Sequence, residues 1–305
     1  MTPKLETVAE TGPITGLHYH RCRIGDASYL FALGGGGDPV LLLHGFPQTH
    51  YCWRRVVPVL AESHTVVAPD LRGYGGSHAP AGGAHGEGFS KREMATELVE
   101  LMHVLGFDRF AVVGHDRGAR VAYRMALDRP ASVDRLAILN VIPTVDQFER
   151  MAGGPSLGYW PWFLLAQPAP FPEQLIEAAP ERILRFILGS WTADASAVDE
   201  EAFAVYLDSF GPAAAAICAD YRASFWLDRD HDRDDRRVDR RIKCPTLVIT
   251  GAEEMQLADA ADVWREWAVD VRAATAPGGH FIPEEAPGVL IAELSRFLLD
   301  SSAAA

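Results

Sequence analysis

The residues best suited to do chemistry surround Asp116, which follows an apolar run and precedes a helix-forming segment. The chain here is Val112-Val113-Gly114-His115-Asp116-Arg117-Gly118, a Gly-x-Asp-x-Gly pattern. A strand, a sharp turn and a helix in that order predict a nucleophile elbow, in which small residues let the backbone pack closely around the exposed side chain. Aspartate suits displacement at a saturated carbon, because a carboxylate is already charged and needs no base to activate it.

Two cations and a backbone amide are predicted to complete this site. Arg117 and Arg120 lie three residues apart at the start of the helix, where the helix N-terminus also favours anions, so they predict a clamp for a substrate carboxylate. The loop around Phe46 follows another predicted strand. The backbone N–H groups of Phe46 and Arg117 are therefore predicted to form an oxyanion hole.

A histidine and an acid that could act on an ester of Asp116 occur late in the chain. His280 lies between small residues and is predicted to be the general base that activates water. The acid that orients it has two candidate positions, one at the end of a strand and one in the loop after a later strand. Asn140 occupies the first and carries no charge, so we predict Glu254 in the second, with Glu253 as the alternative.

The elements around these residues predict an α/β fold, with a mostly parallel central sheet and helices on both faces. Continuous apolar runs predict buried strands, and these alternate with helical patterns. The predicted strands are Val40–Leu43, Thr65–Ala68, Phe110–Val113, Leu136–Leu139, Thr246–Ile249 and Val271–Thr275. The predicted helices are Met94–Leu105, Val121–Leu127 and Gly288–Leu299, and Ile14–Arg23 and Tyr29–Leu33 predict an antiparallel opening pair.

The alternation of strands and helices stops after Val141, where a segment rich in aromatic residues and prolines begins. We predict that residues 144–235 form a helical cap inserted over the carboxyl edge of the sheet. Residues 1–143 and 236–305 would then form the α/β core.

The composition argues against several classes of partner. A formal net charge of -13 argues against nucleic acid and against an anionic membrane surface. No apolar run reaches the roughly 18 residues that a membrane helix needs. The four cysteines, Cys22, Cys52, Cys218 and Cys244, are scattered, which favours free thiols. We therefore expect a cytoplasmic protein that acts on a small molecule.

Together these segments resemble the haloacetate (fluoroacetate) dehalogenases, a group of capped α/β-hydrolases. The matching segments are 41–50 (LLLHGFPQTH), 114–120 (GHDRGAR), 165–170 (LAQPAP), 220–223 (DYRA) and 279–285 (GHFIPEE). The segment 114–120 is the most specific, since the related epoxide hydrolases usually have tryptophan at the position of Arg117.

The resemblance implies a mechanism. Asp116 would attack the α-carbon of a haloacetate and expel halide, and His280 would activate the water that hydrolyses the ester and releases glycolate. Arg117 and Arg120 would hold the substrate carboxylate. The resemblance implies no metal or organic cofactor, and a homodimer is expected only by analogy.

Asn140, Pro161 and Trp226 depart from the family pattern. Asn140 aligns with the acid of fluoride-active members, so Glu254 would take over that role. The halide-binding side chains of the cap align with Pro161, Trp162 and Trp226. Proline offers no donor, which leaves the two indole N–H groups. Because fluoride needs strong hydrogen bonding as its charge develops, we expect chloroacetate or bromoacetate to be preferred over fluoroacetate.

Two other functions fit part of the pattern. An epoxide hydrolase uses the same aspartate, histidine and acid, and Tyr159, Tyr206 and Tyr221 could supply the phenols that polarise an epoxide oxygen. An uncharged epoxide, however, has no use for two arginines. The third possibility is a protein of the same fold that binds a small ligand without catalysis. The uncharged Asn140 is compatible with such a protein, but Asp116, His280 and the predicted oxyanion loop would then have no function.

Overall fold

The computed structural model describes residues 5–9, 13–151 and 154–300, and the strands in these ranges form a single nine-stranded sheet. The strands are β1 Leu5–Ala9, β2 His18–Ile24, β3 Ala27–Gly35, β4 Asp38–Leu43, β5 His64–Pro69, β6 Phe110–His115, β7 Val133–Leu139, β8 Thr246–Gly251 and β9 Val271–Ala276. Their spatial order is β1-β2-β3-β5-β4-β6-β7-β8-β9. The pairs β1–β2, β2–β3 and β3–β5 are antiparallel and the other pairs are parallel.

Helices cover the sheet and fill the long connection between β7 and β8. They are α1 Val57–Leu60, α2 Lys91–Val104, α3 Arg117–Asp128, α4 Thr144–Arg150, α5 Trp160–Leu164, α6 Phe171–Ala178, α7 Pro180–Trp191, α8 Glu200–Phe210, α9 Ala214–Ala223, α10 Arg229–Arg237, α11 Ala260–Trp267, α12 Ile282–Glu285 and α13 Pro287–Leu299. A π-helical turn, Ser224–Asp228, joins α9 to α10. Within the described ranges no single helix could cross a membrane, although α8 and the continuous α9–α10 segment, bent by 80°, together meet the requirement of length and composition.

The fold class predicted from the sequence is confirmed, and the physical reason is the burial of the central strands. Leu41, Leu42 and Leu43 in β4 are fully buried, as are Val112 and Val113 in β6. A parallel strand that is covered on both faces needs apolar residues at successive positions, which is the pattern the sequence shows.

The helices α4 to α10 form the segment that we call the cap. It is fastened to α3 by buried charges, since Arg124 of α3 pairs with Asp232 of α10 at 2.6 Å and also with Asp235. The boundaries 144–235 remain a prediction; α4 begins at Thr144 and α10 ends at Arg237.

The topology brings the ends of several strands to one edge of the sheet. Because β4, β6, β7 and β8 run parallel, their carboxyl ends meet there, and ligands bind at this edge in open α/β sheets. The chain leaves β6 into Asp116 and β7 into Asn140, and it leaves β8 three residues before Glu254. These side chains therefore start from neighbouring strands beneath the cap.

Candidate active site

Asp116 lies in a strained turn between β6 and α3. Its φ of 47° and ψ of -115° are values that residues with a Cβ rarely adopt. Its Oδ1 accepts a hydrogen bond of 2.9 Å from the backbone N–H of Phe46. Arg117 is the first residue of α3, and the first N–H groups of a helix have no partner within the helix. Of the two predicted oxyanion donors, the N–H of Phe46 thus contacts the carboxylate directly, and the N–H of Arg117 lies at the helix N-terminus next to Asp116.

Three glycines allow the backbone to close around Asp116. A Cβ added to Gly45 would lie 2.4 Å from the Cβ of Asp116, and one added to Gly114 would lie 2.5 Å from the backbone of α3. A Cβ added to Gly118 would lie 2.3 Å from the carbonyl oxygen of His44. Such distances are too short for any side chain, so small residues are required here for steric reasons.

His280 lies between Asp116 and an acid. Its Nε2 is 3.8 Å from Oδ2 of Asp116, and its Nδ1 is 3.4 Å from Oε1 of Glu254. Burial lowers the pKa of His280, but the carboxylates of Glu254 and Asp116 outweigh burial and raise the pKa above its ordinary value. Nε2 has no hydrogen-bond partner among the described residues, so it is free to take a proton. Glu253 lines the same cavity, but the contact with His280 is made by Glu254.

Asn140 holds the loop that carries His280. Its Nδ2 donates to the carbonyl oxygens of Gly279 at 2.9 Å and His280 at 2.7 Å, while its Oδ1 accepts from the N–H of Gly251 at 2.7 Å. Nε2 of His115 donates to the same carbonyl of His280 at 2.8 Å, and burial lowers the pKa of His115 to about 4, which keeps that ring neutral. Asn140 is therefore a positioning residue and not an acid.

A cavity of about 430 Å³ lies between this edge of the sheet and the cap. Asp116, His280 and Glu254 reach it from the core, and Trp162 and Tyr221 reach it from the cap. In the described part of the chain, no group of three or more His, Cys, Asp or Glu side chains could hold a metal ion.

The guanidinium of Arg117 lies 5.0 Å and 4.3 Å from the ring centres of the cavity residues Trp162 and Tyr221, and its role in a carboxylate clamp stays a prediction. Its guanidinium forms a bidentate pair with Asp220 of the cap, with Nε at 3.0 Å and Nη2 at 2.6 Å from the two carboxylate oxygens, and Nη2 also donates to Ser224 at 2.6 Å. Burial alone would raise the pKa of Asp220, but the charges of Arg117 and Lys91 hold it well below its ordinary value. The positive charge of Arg117 is thus paired within the protein, but its Nη1 has no hydrogen-bond partner among the described residues.

Arg120 is the arginine that does line the cavity. Its Nη1 donates to Ile142 at 3.0 Å and Thr144 at 3.2 Å, and its guanidinium lies 4.6 Å from the ring centre of Trp162. Arg120 is 2% exposed and forms no ion pair with the described residues, and its Nε has no hydrogen-bond partner there. Burial lowers its pKa, as expected for a cation that leaves water without a paired carboxylate.

Only one of the two predicted halide-binding tryptophans reaches the cavity. Trp162 lines it, with its ring 5.6 Å from that of Tyr221. The placement of Trp226 is corrected: it is 47% exposed, and its ring packs 4.9 Å from His85 outside the cavity. Tyr221 lines the cavity instead, at a position that the sequence analysis considered only for an epoxide. Its place in the segment 220–223, which matches the family, was a signal that could have identified it.

Comparison with known proteins finds relatives that match most of the chain. A family model described as the alpha/beta hydrolase fold matches residues 38–287. A fluoroacetate dehalogenase from Burkholderia sp is 42% identical over 91% of this chain and 92% of its own. A soluble epoxide hydrolase from a Corynebacterium strain is 29% identical over 93% of this chain and 98% of its own. A crystal structure from Nostoc sp PCC 7120, assigned to the alpha/beta hydrolases, covers 94% of this chain and 99% of its own, with a TM-score of 0.91 and 43% identity.

Proposed function

We propose that this chain, which belongs to the α/β-hydrolase fold family and within it to the haloacetate dehalogenases, releases halide from 2-halocarboxylates such as chloroacetate. One observation carries the proposal: the strained Asp116 and the buried, unpaired guanidinium of Arg120 line the same cavity. A nucleophilic carboxylate next to an anion-binding group fits a substrate that carries both a leaving group and a carboxylate.

In the first step, Oδ2 of Asp116 attacks the α-carbon. Oδ1 is held by the N–H of Phe46, which leaves Oδ2 as the oxygen free to react. The new C–O bond forms as the carbon–halogen bond breaks, and the halide leaves with the electron pair. Arg120 holds the substrate carboxylate, while the indole N–H of Trp162 and the phenol of Tyr221 donate hydrogen bonds to the departing halide.

In the second step, water hydrolyses the ester on Asp116. Nε2 of His280 takes a proton from the water, and Glu254 stabilises the imidazolium that results. The negative charge that develops on Oδ1 is stabilised by the backbone N–H groups of Phe46 and Arg117. The proton then passes from His280 to the leaving alkoxide, and glycolate is released. The second proton of the water leaves the carboxyl group of Asp116 through His280 to solvent, which restores the free carboxylate.

The halide pocket supports a preference for the heavier halogens. Pro161 offers no donor in the segment that carries Trp162, and Trp226 packs on His85 and does not line the cavity. Two donors, Trp162 and Tyr221, would therefore stabilise the halide. Fluoride requires the strongest hydrogen bonding of the three halides, so we expect chloroacetate and bromoacetate to react faster than fluoroacetate.

An epoxide hydrolase is the second candidate, and one observation favours it. Two phenols, those of Tyr159 and Tyr221, line the cavity, and such a pair could polarise an epoxide oxygen. The unpaired Arg120 favours the halocarboxylate, because a neutral epoxide leaves this buried charge without a partner.

The experiment that tests the proposal measures halide release from fluoroacetate, chloroacetate and bromoacetate beside hydrolysis of styrene oxide. We expect release from chloroacetate that is abolished in Asp116→Ala. In His280→Ala, mass spectrometry should find a carboxymethyl adduct on the peptide that contains Asp116, because the ester forms but is not hydrolysed. Turnover of styrene oxide without halide release from any acid would replace the proposal with the second candidate.

A further inference from the structure

We infer that Glu285, the last residue of α12, is a positioning residue that fixes the loop carrying His280 and fastens this loop to the cap. Its carboxylate contacts the backbone on both sides of His280 and also the cap segment that follows α7. Glu285 does not line the cavity, so it acts on the reaction through His280. The consequence for catalysis rests on the proposed function, in which His280 serves the hydrolysis of the ester and not its formation.

The carboxylate of Glu285 accepts hydrogen bonds from the two N–H groups that flank His280. Oε2 accepts from the N–H of Gly279 and Oε1 accepts from the N–H of Phe281, both at 2.9 Å. The N–H of His280 lies between them and donates to the carbonyl oxygen of Trp191 at 2.8 Å. Hydrogen bonds to an ionised acceptor are roughly twice as strong as those between neutral groups, so Glu285 is well suited to hold this backbone.

The same carboxylate connects the loop to the cap. Oε2 of Glu285 also accepts from the N–H of Ala193 at 2.7 Å, and Ala193 lies two residues beyond the end of α7. The ring of Trp191, the last residue of α7, packs 5.1 Å from that of His280. A displacement of the cap at this segment would therefore displace the base.

Two glycines before His280 make these contacts possible. Gly278 has a φ of 108°, and a Cβ added there would lie 2.9 Å from the Cβ of Glu285. A Cβ added to Gly279 would lie 2.6 Å from the carbonyl oxygen of Trp191. A side chain at either position would push the loop away from Glu285 or from the cap. The small residues in front of His280 are thus required by the close approach of these two partners.

The charge of Glu285 also acts on the ring of His280. Burial lowers the pKa of His280, and the carboxylates of Glu254, Asp116 and Glu285 raise it. The ring of His115, which packs 5.0 Å from that of His280, is kept neutral by burial, which lowers its pKa. The pKa of His280 therefore reports on Glu285 in the free protein, without any substrate.

The first test follows the pKa of His280 by NMR, with its ring-proton signal assigned by its absence from His280→Ala. In Glu285→Gln we expect this pKa to fall by about half a pH unit, because the charge is lost and an amide cannot accept from all three N–H groups. Glu293→Gln is the matched control. It removes the same charge from the neighbouring helix α13, where Glu293 pairs with Arg296 at the surface, and it should leave the pKa of His280 unchanged.

The second test separates the two chemical steps with chloroacetate. In Glu285→Gln the first release of chloride, one per protein molecule, should keep its rate within threefold, because Asp116 is held by its own contact with the N–H of Phe46. The steady-state rate should fall at least about tenfold, since misplacement of a catalytic group by about 1 Å is enough for such a loss. The ester on Asp116 should then accumulate and be found by mass spectrometry. Glu293→Gln should stay within twofold in both rates.

Ala193→Pro tests the contact with the cap and leaves Glu285 in place. Proline removes the N–H that donates to Glu285, and Thr192 has a φ of -84° and a ψ of 142°, which suit a residue that precedes proline. We expect the steady-state rate to fall at least threefold while the first release of chloride keeps its rate. If circular dichroism shows that Glu285→Gln does not fold, Ala193→Pro decides the inference.

The outcomes distinguish the inference from the proposed function. An unchanged pKa of His280 in Glu285→Gln would overturn the inference, and so would an unchanged steady-state rate or an equal effect in Glu293→Gln. An unchanged rate in Ala193→Pro would overturn the role of the cap contact. If the pKa of His280 falls as expected but the unmodified protein releases no halide, the proposed function fails while the role of Glu285 stands.

Discussion

Replacing Asn140 by Asp tests whether this side chain positions the loop of His280 or belongs to the catalytic acid. Asp also tolerates the φ of 55° at this position, so the backbone need not change. The amide that donates to two carbonyl oxygens becomes a carboxylate that donates nothing. Losing two hydrogen bonds costs about 1–3 kcal/mol, and repulsion between the carboxylate and the two carbonyls adds to this, so we expect a loss of about 2–4 kcal/mol at pH 7. For a chain of this size the corresponding fall in Tm is roughly 5–15 °C.

The destabilisation should depend on pH in one direction. Burial and the facing carbonyl oxygens raise the pKa of the introduced carboxyl in the folded state above its unfolded value of about 3.9. The folded protein then holds the proton more tightly than the unfolded chain does. The loss of stability in Asn140→Asp is therefore small at low pH and grows as the pH rises through the folded-state pKa.

The assay combines thermal unfolding at pH 5 and pH 8 with kcat/KM for chloroacetate. We expect kcat/KM to fall about 10- to 100-fold, because displacement of His280 by about 1 Å is enough for such an effect. Gln256→Glu is the matched control, since it adds the same charge to the cavity wall at an exposed position. Asn140 is the only asparagine in the sequence, so selective ¹⁵N-asparagine labelling gives one side-chain amide signal, which should exchange slowly with solvent. An unchanged Tm together with a higher kcat/KM in Asn140→Asp would refute the reasoning.

Three further outcomes are expected. Glu254→Gln should lower the pKa of His280, because Glu254 helps to raise it, so the rising limb of the pH profile of kcat/KM should move to lower pH and its maximum should fall at least about tenfold. Glu253→Gln should leave the rising limb at its original pH. A shift of the limb in Glu253→Gln instead would identify Glu253 as the acid. Trp226→Ala should keep kcat/KM for chloroacetate within twofold, and a larger loss would return this residue to the halide site. Gly118→Ala should give a protein with a Tm at least several degrees lower, or no soluble protein, because the added Cβ would lie 2.3 Å and 2.4 Å from two backbone oxygens. An unchanged Tm would show that the backbone around Asp116 can relax.

The features that could be predicted from the sequence are those that depend on local pattern. Runs such as Val40–Leu43 predict buried strands because a sheet covered on both faces needs apolar residues at successive positions. The glycines around Asp116 predict the elbow because no larger residue fits there. β1 was not predicted, since Leu5–Ala9 is an exposed edge strand without a continuous apolar run.

The features that could not be predicted depend on partners far away in the sequence. Arg117 pairs with Asp220, 103 residues away, and nothing near Arg117 in the sequence indicates this partner. Trp226 likewise packs on His85, a residue far away in the sequence, so its position outside the cavity could not be predicted either. The role of Asn140 depends on distant partners too, because they lie at the end of β8 and in the loop after β9.

The ion pair between Arg117 and Asp220 also limits how substrate and product exchange with solvent. Arg117 belongs to the helix that carries the nucleophile and Asp220 belongs to the cap, so lifting the cap at this point would separate two charges with no exposed surface. Such an open form gives up two hydrogen bonds between charged groups, which disfavours it. Substrate and product are therefore expected to enter and leave past the side chains at the rim of the cavity, while the cap stays in place. Substitutions that change the size of those rim side chains should then change the turnover rate more than substitutions at the ends of the cap.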